Sequence, residues 1–194
     1  MKYIIVGLHC SGKQEVIDIL KENNIKCGSI FSNIPPQTKN LYNTYEYYDI
    51  SEINKIFENN AYIFMQEVQG NFNTSSFKYF EGLSKYEFDN NDVFCLSPDQ
   101  VLNIVPCSIK EPICYVWLDN KKSNRKNRHI NENREYNFNE REALEKRDIN
   151  TFVKTLYSSD VLYFTDEEPE RVAAIVYSIV KHPDLFEMYK KSFV

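Results

Sequence analysis

The sequence is short of glycine and has no long hydrophobic run. Five of its 194 residues are glycine and one is tryptophan. No apolar stretch approaches the roughly 18 to 20 residues that a helix needs to cross a bilayer. The apolar run at residues 3–6 is also shorter than the core of about 7 to 15 residues in a secretory signal. We therefore expect no membrane partner and a cytoplasmic protein, located in the host cytoplasm if the source is viral.

Cysteine is infrequent, and the basic residues, 23 in number, are fewer than the 28 acidic ones. The five cysteines lie at positions 10, 27, 95, 107 and 114, so no two are close and one is left over. This pattern suggests neither a disulfide framework nor a zinc ribbon. The formal net charge of −5 argues against a nucleic-acid binder, which is normally basic over a whole face.

The patterning that is present alternates between strands and helices. Short apolar runs, typical of parallel strands buried on both faces, occur at residues 3–6, 92–96, 113–118 and 161–164. Amphipathic patterns at residues 142–157 and after Pro169 predict helices. The alternation predicts an α/β fold with a central parallel sheet.

Two segments depart from this alternation. Residues 31–87 contain Pro35-Pro36, a tyrosine cluster and an amphipathic turn at 51–57, and we interpret them as an inserted subdomain. Residues 121–139 are rich in Lys, Arg and Asn, and we interpret them as an irregular basic flap. A solvated basic loop is the simpler alternative for this flap.

Residues 7–14, GLHCSGKQ, have the spacing G-x-x-x-x-G-K of a nucleotide-phosphate loop at the first strand-to-helix junction. Glycines let successive backbone N–H groups point at one phosphate, and the helix that follows adds its N-terminal dipole. Lys13 would reach the outer phosphates. Gln14 stands where such loops have a Mg²⁺-binding Ser or Thr, so it offers a weaker ligand.

Beyond this loop, five stretches match one family. Three have the family's order and spacing, namely YEYYDISEI at 45–53, IFENNAYI at 56–63 and GNFNTS at 70–75. Two more lie in the later part of the chain, ALEKR at 143–147 and VLYFTD at 161–166. With the loop, these stretches make the chain resemble the guanylate kinase family of nucleoside monophosphate kinases. The similarity extends over nearly the whole chain, and each motif is degenerate.

The resemblance implies a P-loop kinase fold in a single domain, 1–194. Its parts would be a core (1–30, 88–120 and 142–194), a monophosphate-binding subdomain (31–87) and a basic lid (121–141). It implies transfer of the γ-phosphoryl group of ATP to a nucleoside monophosphate, with Mg²⁺. The implied catalytic residues are Lys13, Arg128, Arg134 and Arg147. The implied ATP-binding residues are Gly7, Ser11, Gly12, Lys13, Gln14 and Thr165.

The acceptor site departs from the family pattern. Tyr45 and Ser75 match residues that bind the acceptor, whereas both phosphate-gripping arginines are missing, with Gln37 and Lys39 nearby. The base-reading glutamate falls on Phe64, and Glu67, Asn73 and Ser97 complete the candidate acceptor set. The candidate metal ligands are Gln14 and Asp99. We expect small-molecule nucleotides as partners, and a base other than plain guanine, with a modified deoxynucleotide as one candidate.

Simpler alternatives accompany these assignments. Phe64 also fits core packing, and Glu67 fits a solvated strand carboxylate. The loss of the acceptor arginines and of the loop hydroxyl favours a second function, a catalytically inactive guanylate-kinase-like module that binds a protein. The intact Gly7, Gly12 and Lys13 oppose it. We expect a monomer or a homodimer.

Overall fold

The computed structural model describes residues 1–33, 45–72, 75–105, 109–131, 137–146, 149–156 and 160–192. The strands are β1 (Lys2–Gly7), β2 (Ile30–Ser32), β3 (Tyr45–Tyr47), β4 (Tyr62–Phe72), β5 (Ser75–Ser84), β6 (Val93–Leu96), β7 (Ile113–Asp119) and β8 (Asp160–Thr165).

Helices connect most of these strands, and three of them, α5 to α7, follow one another between β7 and β8. They are α1 (Lys13–Glu22), α2 (Ile50–Glu58), α3 (Lys85–Asn90), α4 (Pro98–Leu102), α5 (Lys122–Asn131), α6 (Phe138–Glu145), α7 (Ile149–Leu156), α8 (Pro169–Lys181) and α9 (Phe186–Ser192), with a 3-10 turn at Pro183–Leu185 before α9.

The central sheet is parallel, with the strand order β6-β1-β7-β8. Alternate residues of β1 point to opposite faces, so each face carries its own apolar cluster. Ile5 packs with the apolar sides of α1 and α8, and Ile4 and Val6 pack with Trp117, Phe152 and the neighbouring strands. Every residue of β1 is buried, which explains the continuous apolar sequence of residues 3–6. The predicted α/β fold with a central parallel sheet is confirmed.

A second sheet has the strand order β3-β2-β5-β4. It is mixed, because β2 pairs parallel with β3 and antiparallel with β5. Strands β4 and β5 form a long antiparallel hairpin. Phe64 and Leu83 lie opposite each other in it, and both belong to the cluster that covers one face of the central sheet. The hairpin is thereby packed against the core.

The elements differ from their predictions in two places. The segment 121–139, expected to be an irregular flap, contains α5 and the start of α6. Where one helix was expected over residues 142–157, the structure has α6 ending at Glu145 and α7 beginning at Ile149. Helix α5 has a buried residue, Arg125, whose ion pair the apolar pattern could not show.

No helix in the described ranges combines the length and the apolar character that a membrane crossing demands.

Candidate functional site

The carboxyl ends of the parallel strands meet at one edge of the central sheet. Gly7 ends β1 beside Leu118 of β7, and Asp119 of β7 pairs in register with Thr165 of β8. On the other side of β1, Ser97 directly follows β6. Ligands of open α/β sheets bind at this kind of edge, so the candidate site is placed there by topology.

The loop between β1 and α1, residues Gly7–Lys13, is called the phosphate loop here. Cys10 and Gly12 have left-handed backbone conformations, with φ of 56° and 90°, and the N–H of Ser11 donates to the carbonyl of Leu8 at 3.2 Å. Lys13 Nζ folds back and donates to the carbonyl oxygens of Gly7 and Leu8, at 2.6 and 2.9 Å. A tight turn, a helix N-terminus and an ammonium group are therefore combined in one loop.

Both glycines of the loop stand where a side chain has no room. A Cβ on Gly7 would lie 2.5 Å from Ser11 Oγ and 2.9 Å from the carbonyl of Leu118. A Cβ on Gly12 would overlap Nη1 of Arg128 and lie 3.1 Å from Pro169. The left-handed φ of Gly12 further disfavours any other residue.

Helices α5 and α6, called the lid helices here, cover the phosphate loop. Arg128 of α5 lies against Gly12, and its Nη1 is buried without a hydrogen bond to any described residue. Asn120, just before α5, donates from Nδ2 to the carbonyl of Ser11 at 2.8 Å. From α6, Glu145 contacts His9 of the loop. Three residues of the loop, His9, Ser11 and Gly12, are thus in contact with Asn120 and the lid helices.

A buried ion network joins the lid helices to each other. Glu142 of α6 accepts from Arg125 Nη2 of α5 at 2.7 Å, and the two side chains are each 3% exposed. Lys122 and Lys146 also contact Glu142, at 2.7 and 3.1 Å. Burial raises the pKa of Glu142, but hydrogen bonds from Lys122, Arg125 and Lys146 outweigh it and bring the pKa down to about 2. Glu142 is therefore an ionised anchor of the lid.

On the other side of the sheet edge, polar side chains cluster between the β4–β5 hairpin and α4. Buried Glu81 accepts from Gln66 Nε2 and Gln100 Nε2, both at 2.7 Å. Gln66 Nε2 also lies 3.2 Å from Asp99 Oδ2, and Asn103 donates to Gln66 Oε1 at 2.6 Å. We call Gln66, Glu81, Asp99, Gln100 and Asn103 the hairpin cluster.

The structure separates the predicted acceptor residues. Phe64 has no exposed surface and belongs to the core, where an acceptor base would not reach its ring. Glu67 is an exposed strand carboxylate paired with Lys78 at 2.6 Å, on the opposite face from Gln66. Ser97 precedes α4, and its N–H donates to Gln100 Oε1 at 2.9 Å.

Several predicted site residues lie outside the described residues. Arg134, Arg147, Asn73, Gln37 and Lys39 do so entirely, and Tyr45 and Ser75 are described for their backbone alone, at the first positions of β3 and β5. Their assignments stay predictions.

The two candidate metal ligands occupy different settings. Gln14 donates from Nε2 to Asp18 at 2.7 Å along the surface of α1. Asp99 keeps one buried oxygen, Oδ1, without a partner among the described residues. Mg²⁺ in kinases keeps several waters and takes one or two carboxylates, so Asp99 fits such an ion better than Gln14. The described ranges hold no group of three metal-ligating side chains.

Sequence reasoning missed the residues that hold the phosphate loop in place. His9 of the loop is buried and contacts Glu145 and Phe138 of α6. Asn120, which binds the loop, and Glu81, which belongs to the hairpin cluster, carried no recognisable pattern either. The role of a buried polar residue is recognised from the groups that it contacts. His9 and its partner Glu145 are 136 residues apart in the chain, so no local sequence pattern connects them.

Comparison of the sequence with models of known protein families and with curated proteins finds no match. Among solved structures, the chain is similar to an unliganded sugar kinase from Janibacter sp., with a TM-score of 0.44 and 11% identity over 95% of this chain and 98% of that one. It is also similar to shikimate kinase from Aquifex aeolicus vf5, with a TM-score of 0.40 and 16% identity over 95% of this chain and 99% of that one. Both of these proteins are kinases.

Proposed function

We propose that this protein is a P-loop kinase that transfers the γ-phosphoryl group of ATP to a nucleoside or deoxynucleoside monophosphate. The observation that carries the proposal is the geometry of the phosphate loop. Lys13 Nζ lies at the carbonyls of Gly7 and Leu8, at the start of a helix whose N-terminus favours anions. This geometry supports binding of the phosphates of a nucleotide by the ammonium and by the N–H groups at the start of α1.

Arg128 supplies the second positive charge. Its guanidinium lies against Gly12, and its buried Nη1 has no partner among the described residues. A buried guanidinium N–H without an acceptor is costly, and a phosphate oxygen beside Gly12 would accept from it. Lys13 and Arg128 would together neutralise the charge on the transferring group, which is most of what a kinase contributes to phosphoryl transfer.

The hairpin cluster supports an acceptor other than plain guanylate. The resemblance places a base-reading glutamate at position 64, where this chain has a buried phenylalanine. The polar atoms at this end of the sheet belong instead to Gln66, Glu81 and Asp99. These amides and carboxylates lie at other positions than the family's glutamate, so they would bind a base with a different pattern of hydrogen-bond donors and acceptors. We therefore propose altered base specificity, with modified deoxynucleotides among the candidates.

ATP would be held by the phosphate loop, and Asp99, which keeps a buried oxygen without a partner among the described residues, would hold Mg²⁺ through water. The metal ion supplies charge neutralisation on the phosphates. The chain's own residues bind and orient: Lys13 and Arg128 fix the phosphates, and the lid helices exclude water above the loop.

The test is a coupled ATP-consumption assay across ribo- and deoxynucleoside monophosphates, including several with modified bases. We expect one acceptor class to be phosphorylated at about 1 per second or faster, a typical lower value for kinases. Lys13→Ala should abolish the activity, and Lys21→Ala, a lysine in the last turn of the same helix, should preserve it.

Two results would contradict the proposal. Turnover of no monophosphate, together with no binding of MgATP, would favour the inactive protein-binding module instead. Activity that survives in Lys13→Ala would mean that the phosphate loop is not the ATP site.

A further inference from the structure

The contact between His9 and Glu145 lies at the phosphate loop, and neither residue has a role in the proposed phosphoryl transfer. The backbone N–H of His9 donates to Glu145 Oε2 at 2.8 Å. Nδ1 of the His9 ring lies 2.9 Å from the same oxygen. One carboxylate oxygen of a lid helix therefore contacts both the backbone and the side chain of one loop residue.

The same peptide unit is held from its other side by Lys13. The carbonyl of Leu8 and the N–H of His9 belong to one peptide, and in a trans peptide these two groups point in opposite directions. Lys13 Nζ binds the Leu8 carbonyl at 2.9 Å, whereas Glu145 binds the His9 N–H at 2.8 Å. Glu145 thus lies on the side away from the ammonium, where it fixes the peptide without occupying the position of a phosphate held by Lys13.

Helix α6 holds His9 at two points of one face. Phe138 and Glu145 are seven residues apart, close to two helical turns, so they share a face. The rings of Phe138 and His9 are 4.6 Å apart between centroids. The side chains of His9 and Glu145 are 6% and 5% exposed, and a carboxylate buried to this extent depends on its hydrogen bonds. Helix α6 cannot leave the loop without breaking them.

We propose that Glu145 is a positioning residue that couples the lid to the phosphate loop through His9. With α6 packed, the Leu8–His9 peptide is fixed and the loop is ready for phosphates. By the reciprocity of linked equilibria, bound phosphates in turn favour the packed position of α6. The inference rests on the proposed function, since it assumes that the loop binds MgATP.

The test measures the dissociation constant of MgATP by calorimetry in the full chain and in five variants: Glu145→Ala, Glu145→Gln, His9→Ala, the double variant His9→Ala/Glu145→Ala and Glu140→Ala. We expect Glu145→Ala to raise it about tenfold, by loss of charge-assisted hydrogen bonds. Glu145→Gln should bring it back to within about threefold of the unmodified protein, since the amide oxygen still accepts from the His9 N–H. The double variant His9→Ala/Glu145→Ala should bind MgATP at least as tightly as the single variant with the lower affinity, because both changes remove the same contact.

Glu140→Ala is the matched control, an exposed acid of the same helix, and should bind MgATP within about twofold of the unmodified protein. If Glu145→Ala does not fold, Glu145→Gln and His9→Ala carry the test, with amide exchange of His9 in the free protein as the second measurement. We expect this exchange to be slow in the unmodified protein and slow in Glu145→Gln.

Three results would overturn the inference: unchanged binding in Glu145→Ala, equal loss in Glu145→Ala and Glu145→Gln, or additive losses in the double variant. If the unmodified protein binds MgATP but these results are found, the proposed function stands and the coupling falls. If the unmodified protein binds no MgATP, the proposed function itself falls, and the coupling with it.

Discussion

At the scale of single residues, Gly12 determines whether the lid can lie on the phosphate loop. Its φ of 90° is in the left-handed region, which costs about 1 to 2 kcal/mol for a residue with a Cβ. The same Cβ would overlap the guanidinium of Arg128. Backbone conformation and steric contact therefore require glycine for two separate reasons.

Two variants of Gly12 separate the effect of backbone strain from the effect of the steric clash with Arg128. We expect Gly12→Ala to destabilise the protein by about 1 to 2 kcal/mol through backbone strain and to displace Arg128. Urea unfolding measures the first effect. The double variant Gly12→Ala/Arg128→Ala should keep the backbone penalty but lose the clash, so it should be no less stable than Gly12→Ala. A Gly12→Ala protein as stable as the unmodified one would contradict the strain argument.

Glu142 gives a prediction for pH. Its pKa is held at about 2 in the folded protein, against a usual value of 4.5, so the charged form stabilises the fold. This contribution is fully present above pH 4.5 and is lost as the pH falls from 4.5 to about 2.

We expect Glu142→Gln to lower the free energy of unfolding by about 3 kcal/mol at pH 7, because Arg125 is left buried without its counter-charge. Urea unfolding at several pH values should show the gap between the two proteins narrowing from pH 4.5 toward 2. Glu140→Gln, exposed on the same helix, should behave like the unmodified protein. A gap that is constant with pH would show that Glu142 is not the titrating group.

At the scale of elements, the sequence predicts what apolar periodicity controls. Strands β1, β6, β7 and β8 and helix α8 lie where their apolar residues indicate, because burial of those residues decides their structure. Helix α5 has only Ile130 and polar residues, and it is held by the Arg125–Glu142 pair and by hydrogen bonds from Lys121 and Asn124 to Asp166. Such long-range polar contacts leave no local pattern in the sequence.

In the candidate site, too, residues that follow a local sequence pattern could be predicted, whereas residues that meet only in the folded chain could not. Gly7, Gly12 and Lys13 follow a fixed spacing because all three serve one short loop, so the sequence could identify them. Phe64 was placed in the acceptor site by alignment with a family motif, whereas its apolar character places it in the core. The groups at that end of the sheet, such as Gln66 and Glu81, lie in different strands and meet only after the hairpin has formed.

The hairpin cluster gives a prediction for an element. Gln100 is buried and links Glu81 of β5 to the N–H of Ser97 before α4. We expect Gln100→Ala to cost about 1 to 3 kcal/mol, since buried polar groups lose their partner. It should also raise the KM of the acceptor without changing that of ATP, because the hairpin moves and the phosphate loop does not.

Gln69→Ala is the control for that experiment, as an exposed residue of the same hairpin. Steady-state kinetics with each substrate varied in turn makes the measurement. Equal increases in both KM values would show that the hairpin cluster stabilises the protein in general and has no local effect on the acceptor side.

At the scale of the whole molecule, the phosphate loop connects elements that are far apart in the chain. It follows β1 of the central sheet, begins α1 and lies under α5 and α6. A ligand bound to the loop therefore contacts a point on which the packing of both lid helices depends, and its binding energy is added to the stability of the folded chain.

We expect MgATP at 100 times its dissociation constant to stabilise the protein by about 2.7 kcal/mol. For a chain of this length the corresponding rise in Tm is roughly 5 to 10 °C. Differential scanning calorimetry makes the measurement, with Lys13→Ala expected to show little rise and Lys21→Ala the full rise. An equal rise in Lys13→Ala would place the nucleotide elsewhere on the molecule.

The edge of the central sheet at β6 is already covered by the chain itself. Lys26 accepts from the N–H groups of Asp92 and Val93 at 2.9 and 3.1 Å, and Gly28 donates to the carbonyl of Val93 at 2.9 Å. A Cβ on Gly28 would overlap the ring of Phe94, so only glycine allows this close approach. Open strand edges invite pairing between molecules, and this short segment keeps the N-terminal half of β6 from serving as a template for intermolecular sheet growth.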